Sequence, residues 1–156
     1  MAYLDENNLV KVFRTHPNVK LPHRAHKTDA GMDFFYCPVE GGIMRIEPGQ
    51  SVLLPTGIKM EVPGDCMLQI MNKSGVASKR SLITGACVVD EGYTGEIFVN
   101  LHNIGAETQF IESGEKIAQG VFVKIEKPRL WEIDEDNLYG GQTARGAGAL
   151  GSTGDR

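Results

Sequence analysis

TGACVVDEGYTGEIFVNLHN, residues 84–103, is the stretch around which the rest of the chain reads as organised. Its second half alternates apolar Ile97, Val99 and Leu101 with Phe98, Asn100 and His102, the period of a half-buried strand. Residues 86–89 form a shorter apolar arm, and Gly92 and Gly95 mark a bend between the two, so the stretch reads as a β-hairpin. Asp90, Glu91 and Tyr93 sit at its mouth. A carboxylate beside an aromatic ring at such a bend can activate a water and floor a pocket. Asp and Gly also suit tight bends with no chemistry in them, and the hairpin alone leaves both readings open.

Outward from the hairpin, short apolar runs recur at close spacing. Residues 9–14, 30–35, 43–46, 52–54, 58–62, 67–71, 108–111 and 116–123 read as strands, and 130–133 as the last one. Turn sequences such as Glu47-Pro48-Gly49 and Pro63-Gly64-Asp65 separate them. Together with 19 glycines and 7 prolines this predicts an all-β barrel or sandwich, with a jelly roll favoured. One short helix is expected near residues 74–80, with Ser74 as its cap and Lys73 beside its free amides, an arrangement that suits an anion and is also common where none binds. Gln119 interrupts an otherwise buried strand and needs a hydrogen-bonding partner.

The chain divides in composition at about residue 140. Residues 1–139 read as one barrel domain, and 140–156 as a flexible glycine-rich arm carrying Arg145, Ser152 and Thr153. Glycine freedom lets backbone amides curl round phosphate oxygens, and a plain flexible tail is the other reading.

A net charge of −4 argues against broad nucleic-acid or membrane binding, so a polyphosphate ligand needs local basic residues or a metal ion. Three dispersed cysteines suggest neither a disulfide framework nor a zinc site, and a reducing cytoplasm is the simpler setting. His16, His23 and His26 lie close together but without a recognised ligand spacing, and residues 15–29 read as a solvated loop. The acidic first residues do not read as a signal peptide, and no run approaches the length of a membrane span.

Five separated segments then fall in a fixed order: AGMDF (30–34), KSGVA (73–77), GACVVDEGYTG (85–95), GEKIAQ (114–119) and RGAGALGSTG (145–154). They resemble the five motifs of the trimeric deoxyuridine triphosphatases, the dUTPases. The resemblance implies a jelly-roll-like subunit, a homotrimer with active sites at subunit boundaries, a magnesium cofactor, and hydrolysis of dUTP to dUMP and pyrophosphate. It also assigns roles. Asp90 matches the water-activating aspartate, and Tyr93 the ring beneath the deoxyribose. The arms around Ala86, Cys87 and Phe98 would read uracil through backbone groups. Lys73, Ser74, Gly75, Gln119, Arg145, Gly151, Ser152 and Thr153 would contact phosphates, the last four from an arm closing over a neighbouring subunit's site. Asp33 would support the metal's water shell or the site's hydrogen bonds.

The sequence departs from the family pattern at three places. Lys73 replaces an arginine, Cys87 a frequent glycine, and Leu150 the phenylalanine that stacks on uracil. Two other readings compete. The dCTP deaminases share the fold, but their catalytic glutamate position holds Asn100 here. A nucleotide-binding regulator is the second, and the presence of both Asp90 and Arg145 makes regulation an addition to activity rather than its replacement.

Overall fold

The computed structural model describes residues 9–141 and 146–147. Its strands are β1 (Val12–Arg14), β2 (Met32–Phe35), β3 (Ile43–Ile46), β4 (Ser51–Met60), β5 (Cys66–Met71), β6 (Leu82–Thr84), β7 (Val88–Val89), β8 (Ile97–Asn103), β9 (Gln109–Glu112) and β10 (Lys116–Lys124). Two helices, α1 (Ser74–Arg80) and α2 (Glu135–Leu138), complete the described elements. The strands form two four-stranded sheets, ordered β1-β4-β8-β6 and β2-β10-β5-β7, and a two-stranded sheet of β3 and β9. Every pairing is antiparallel.

Strand alternation explains the core. Ile97, Val99 and Leu101 of β8 turn inward with Leu54 and Ile58 of β4, and meet Phe34 of β2 and Leu68 and Ile70 of β5 from the second sheet. These side chains belong to one buried cluster, which also takes in Ile46 and Ile111 of the small sheet. This is the all-β, jelly-roll-like fold expected from the spacing of short strands. Fully burying aliphatic side chains of this size stabilises by about 1.5–3 kcal/mol each.

Compactness divides the chain into Met1–Glu126 and Lys127–Arg156, earlier than the expected boundary after residue 139. The expected flexible arm lies largely outside the described residues. Among those described, no helix is long and apolar enough to cross a membrane.

Several local expectations change. Residues 52–54 and 58–62 are not two strands: β4 runs through Pro55 and Gly57 with a register shift between Pro55 and Ile58. Residues 130–133 have no ladder partner among the described residues and are not a strand, and Leu130 and Trp131 are exposed. α2 was not anticipated, because four residues are too short to show a helical period. The loop at 15–29 is mostly exposed, as expected, but is anchored at a few points: Val19 is buried, His16 Nε2 donates to the Cys37 carbonyl at 3.0 Å, and His23 forms a bridge to Asp33.

Gly120 shows how closely the core is filled. A Cβ there would lie 2.6 Å from Phe34 Cε2 and 2.9 Å from Leu68 Cδ1, both in fully buried rings or chains with nowhere to move. Gly120→Ala is therefore expected to destabilise the protein by about 1–3 kcal/mol, the usual range for overpacking. Urea unfolding measures it, and an unchanged midpoint would contradict the packing described.

Candidate functional site

The 84–103 stretch does not close into the expected hairpin. Its first arm ends in β7, which pairs with β5 in one sheet, while β8 pairs with β4 and β6 in the other. The chain parts where Asn100 intervenes. Gly85 N–H donates to the Asn100 carbonyl at 3.0 Å, but the next amide, Ala86 N–H, donates to Asn100 Oδ1 at 3.2 Å. Past that rung a side-chain oxygen, not the β8 backbone, takes the following amide. Asn100 is itself fixed: its Nδ2 donates to Ser51 Oγ at 2.9 Å and to the Val52 carbonyl at 3.1 Å, and Oδ1 also accepts from His102 Nε2 at 2.9 Å. Gly85 permits the approach, since a Cβ there would stand 2.1 Å from Asn100 Oδ1.

The parted arms enclose a pocket of about 340 Å³ whose lining includes Ala86, Cys87, Asp90, Tyr93 and Phe98. Five residues chosen from sequence thus share one cavity. The backbone orientation follows from strand geometry. Asn100 turns its carbonyl toward Gly85 and Ile97 turns its own toward Thr56 Oγ1, so alternation aims the Phe98 amide and carbonyl at the parted arm. The Cys87 carbonyl instead accepts from Ile70 N–H at 2.7 Å on the β5 side. Of the expected backbone readers, Phe98 faces the parted arm, while the Ala86 amide is taken by Asn100 Oδ1 and the Cys87 carbonyl by Ile70 N–H.

Asp90 and Tyr93 close one end. Tyr93 N–H donates to the Asp90 carbonyl at 3.2 Å across a turn in which Gly92 takes a positive φ of 84°. The Tyr93 hydroxyl donates to the Glu96 carbonyl at 2.9 Å, and a Cβ at Gly95 would sit 2.3 Å from that hydroxyl. The ring is therefore pinned over a glycine. The Asp90 side chain is exposed beside it and makes no hydrogen bond or ion pair with a described residue.

The expected phosphate contacts gather elsewhere. Asp33 of β2, Gln119 of β10 and Met71 of β5 lie side by side in register, and the chain continues from Met71 through Asn72 to Lys73. Gln119 Nε2 donates to the Asn72 carbonyl at 3.0 Å, which meets the need its position in a strand implied. Gly31 leaves room for that side chain, as a Cβ would come 2.2 Å from Gln119 Oε1. Ser74 does not cap α1: Lys73 holds the N-cap position, and the Ser74 carbonyl accepts from Ser78 Oγ at 2.7 Å. Ser74 and Gly75 are exposed at the helix start. Arg145, Leu150, Gly151, Ser152 and Thr153 lie outside the described residues.

Asp33 is buried, and both its oxygens face ammonium groups. Lys73 Nζ donates to Oδ1 at 2.7 Å. Lys116 Nζ stands 2.8 Å from Oδ2 as an ion pair, off the direction of a hydrogen bond. Sequence reasoning gave Lys116 no role, although a lysine two residues after a Gly-Glu turn is a visible cation. The pairing engages Asp33 in holding Lys73 and Lys116. Burial alone would raise its carboxyl pKa, but the two ammoniums outweigh burial and hold it below the ordinary value.

A carboxyl that titrates lower when folded contributes its stability above the unfolded pKa of about 3.9 and loses it as pH falls through the lowered value. Asp33→Asn is expected to lower stability near neutral pH by about 1–3 kcal/mol. The difference from the unmodified protein should shrink in strong acid. Urea unfolding of both proteins across that range is the measurement, and a constant difference would refute the clamp.

The chain matches the dUTPase family model over residues 17–154. The deoxyuridine 5'-triphosphate nucleotidohydrolase of Alkaliphilus metalliredigens is 40% identical over 147 residues, covering 93% of this chain and 96% of the relative. That of Clostridium novyi is 39% identical over 145 residues, covering 92% and 96%. Among solved structures, the Staphylococcus bacteriophage 80alpha dUTPase with dUpNHpp superposes with a TM-score of 0.84 at 27% identity, covering 94% of this chain and 99% of that one. A variant of the phage phi11 dUTPase, whose structure reveals the coordination of a structural Mg(II) ion, gives 0.75 at 27% identity over 82% and 98%. With the family model spanning most of its length and relatives near 40% identity along nearly all of it, the chain belongs to the dUTPase family.

Proposed function

We propose that this protein hydrolyses dUTP to dUMP and pyrophosphate, with Asp90 directing a water in line at the α-phosphorus. The observation that carries the reading is the single pocket lined by Ala86, Cys87, Asp90, Tyr93 and Phe98. On the β8 side Phe98 offers a backbone donor and acceptor where a ladder would have consumed them, which suits the edge of a pyrimidine. Uracil enters between the arms around Ala86, Cys87 and Phe98, and the deoxyribose rests on Tyr93. The pinned ring leaves little space beneath a 2′-hydroxyl.

Asp90 needs only to orient the water and accept its proton late, because the developing charge falls on phosphate oxygens. A magnesium ion entering with the triphosphate would find Asp33 to support its water shell or the site's hydrogen bonds, and would supply neutralisation of the charge on the leaving pyrophosphate. Lys73, Ser74, Gly75 and Gln119 bind the β- and γ-phosphates, joined by Arg145, Gly151, Ser152 and Thr153 from the arm at 140–156.

Geometry favours a site shared between copies. Leu68 pairs with Val89, which sets Asp90 opposite Met67 at one end of β5, whereas Lys73 follows its other end. At about 3.3 Å per residue the two are on the order of 15–20 Å apart, too far to serve neighbouring phosphates of one substrate. A homotrimer with sites at its subunit boundaries brings Asp90 of one copy to Lys73 of another.

Deamination is disfavoured by Asn100, whose amide is committed to Ala86, Ser51, Val52 and His102 and supplies no carboxylate. Incubation with magnesium and each of dUTP, dCTP, dTTP and UTP, following pyrophosphate and ammonia separately, tests the assignment. Pyrophosphate from dUTP alone is the expected result. Asp90→Asn should lose about a hundredfold or more in kcat while still binding dUTP, and near-normal turnover by that variant would remove the assigned base. Truncation before Arg145 should lower kcat/KM by about a hundredfold with the barrel still folded, and full activity would dismiss the arm.

A further inference from the structure

We infer that Lys116 is a positioning residue that frees Lys73 to bind the triphosphate, by holding Asp33 when Lys73 leaves it. This rests on the phosphate-binding role proposed for Lys73. A buried carboxylate with a single cation would keep that cation, because its departure strands an unpaired charge in the protein. Asp33 has two cations, one on each oxygen: Lys73 at 2.7 Å and Lys116 at 2.8 Å. The carboxylate side chain is only 7% exposed, whereas those of Lys73 and Lys116 are 32% and 41% exposed. Either ammonium can therefore turn to a ligand on the exposed side of the cluster, and the carboxylate cannot follow.

A strand irregularity places Lys116 there. From Gln119 opposite Asp33 and Ala118 opposite Phe34, regular pairing would set Lys116 opposite Tyr36, on the other face of the sheet. Instead the register shifts between Lys116 and Ala118, and Lys116 stands opposite Phe35, on the face that carries Asp33 and Gln119. Ile117 and Ala118, adjacent in sequence, are both buried as a result. A bulge of this kind re-aims a side chain at the expense of a ladder position. Here it aims a second ammonium at a carboxylate that already has one. The redundancy is what an exchange of partners requires: on arrival of a phosphate, Lys73 turns from Oδ1 to the ligand, and Asp33 keeps Lys116.

Lys116→Met removes the charge and keeps most of the length. With magnesium and dUTP it should raise KM about tenfold while kcat changes by less than about twofold, a split that general loss of structure would not produce. Lys116→Arg should stay near the unmodified protein. Adding Asp33→Asn to Lys116→Met should recover most of the lost affinity, because Lys73 is then released from the carboxylate. Binding of inorganic tripolyphosphate, read by calorimetry, should follow the same order, while dUMP binding stays unchanged. An unaltered KM and tripolyphosphate affinity in Lys116→Met, or a folded double variant that recovers neither, would overturn the inference. If the unmodified protein leaves dUTP intact, the proposed function fails, and the tripolyphosphate series still decides the role of Lys116.

Discussion

The bond from Ala86 N–H to Asn100 Oδ1 is the constraint on which the candidate site depends. It ties the first arm to β8 through a side chain just past the last backbone rung, Gly85 N–H to the Asn100 carbonyl. One arm then joins β5 and the other stays with β4 and β6, so the two sheets separate at this point and the space between them becomes the pocket. Asn100 can do this because Ser51, Val52 and His102 hold its side chain from the remaining directions. A catalytic carboxylate at the same position would carry charge where this chain needs a fixed neutral wedge.

A second constraint operates on the other sheet. Asp33 is a buried charge, and buried charges persist only when paired. Its pairing with Lys73 and Lys116 ties the start of α1 to β2 and β10, so the segment proposed to meet the phosphates is held by electrostatics rather than by a helix cap. Gln119 adds a neutral link to Asn72 in the same row. The pocket and this cluster lie toward opposite ends of β5, which makes assembly of several copies part of the proposed chemistry and not an accessory to it.

Much of this was legible in the residues. The alternation in 97–103 and the close spacing of short apolar runs announced an all-β sandwich, because the period of two is a local property of extended chain. Five ordered motifs pointed to one family, and the pocket gathers the residues those motifs nominate for base, sugar and water. Other expectations failed for identifiable reasons. Ser74 looked like a helix cap by type, yet its position within the turn, one residue too late, is set by the strand that precedes it. Residues 130–133 had the composition of a strand but no ladder partner among the described residues, and strand formation needs one.

The sequence by itself determined the fold class, the family and the chemical identity of the candidate groups, since each depends on residue type and local period. Only the tertiary structure decided what those groups face. That the hairpin arms end in different sheets, that the Asn100 side chain bridges them past the last rung, and that a register shift swings Lys116 onto Asp33 are all outcomes of pairing between residues far apart in the chain. Pairing register is fixed by the competition of whole faces for burial, which no window of sequence contains.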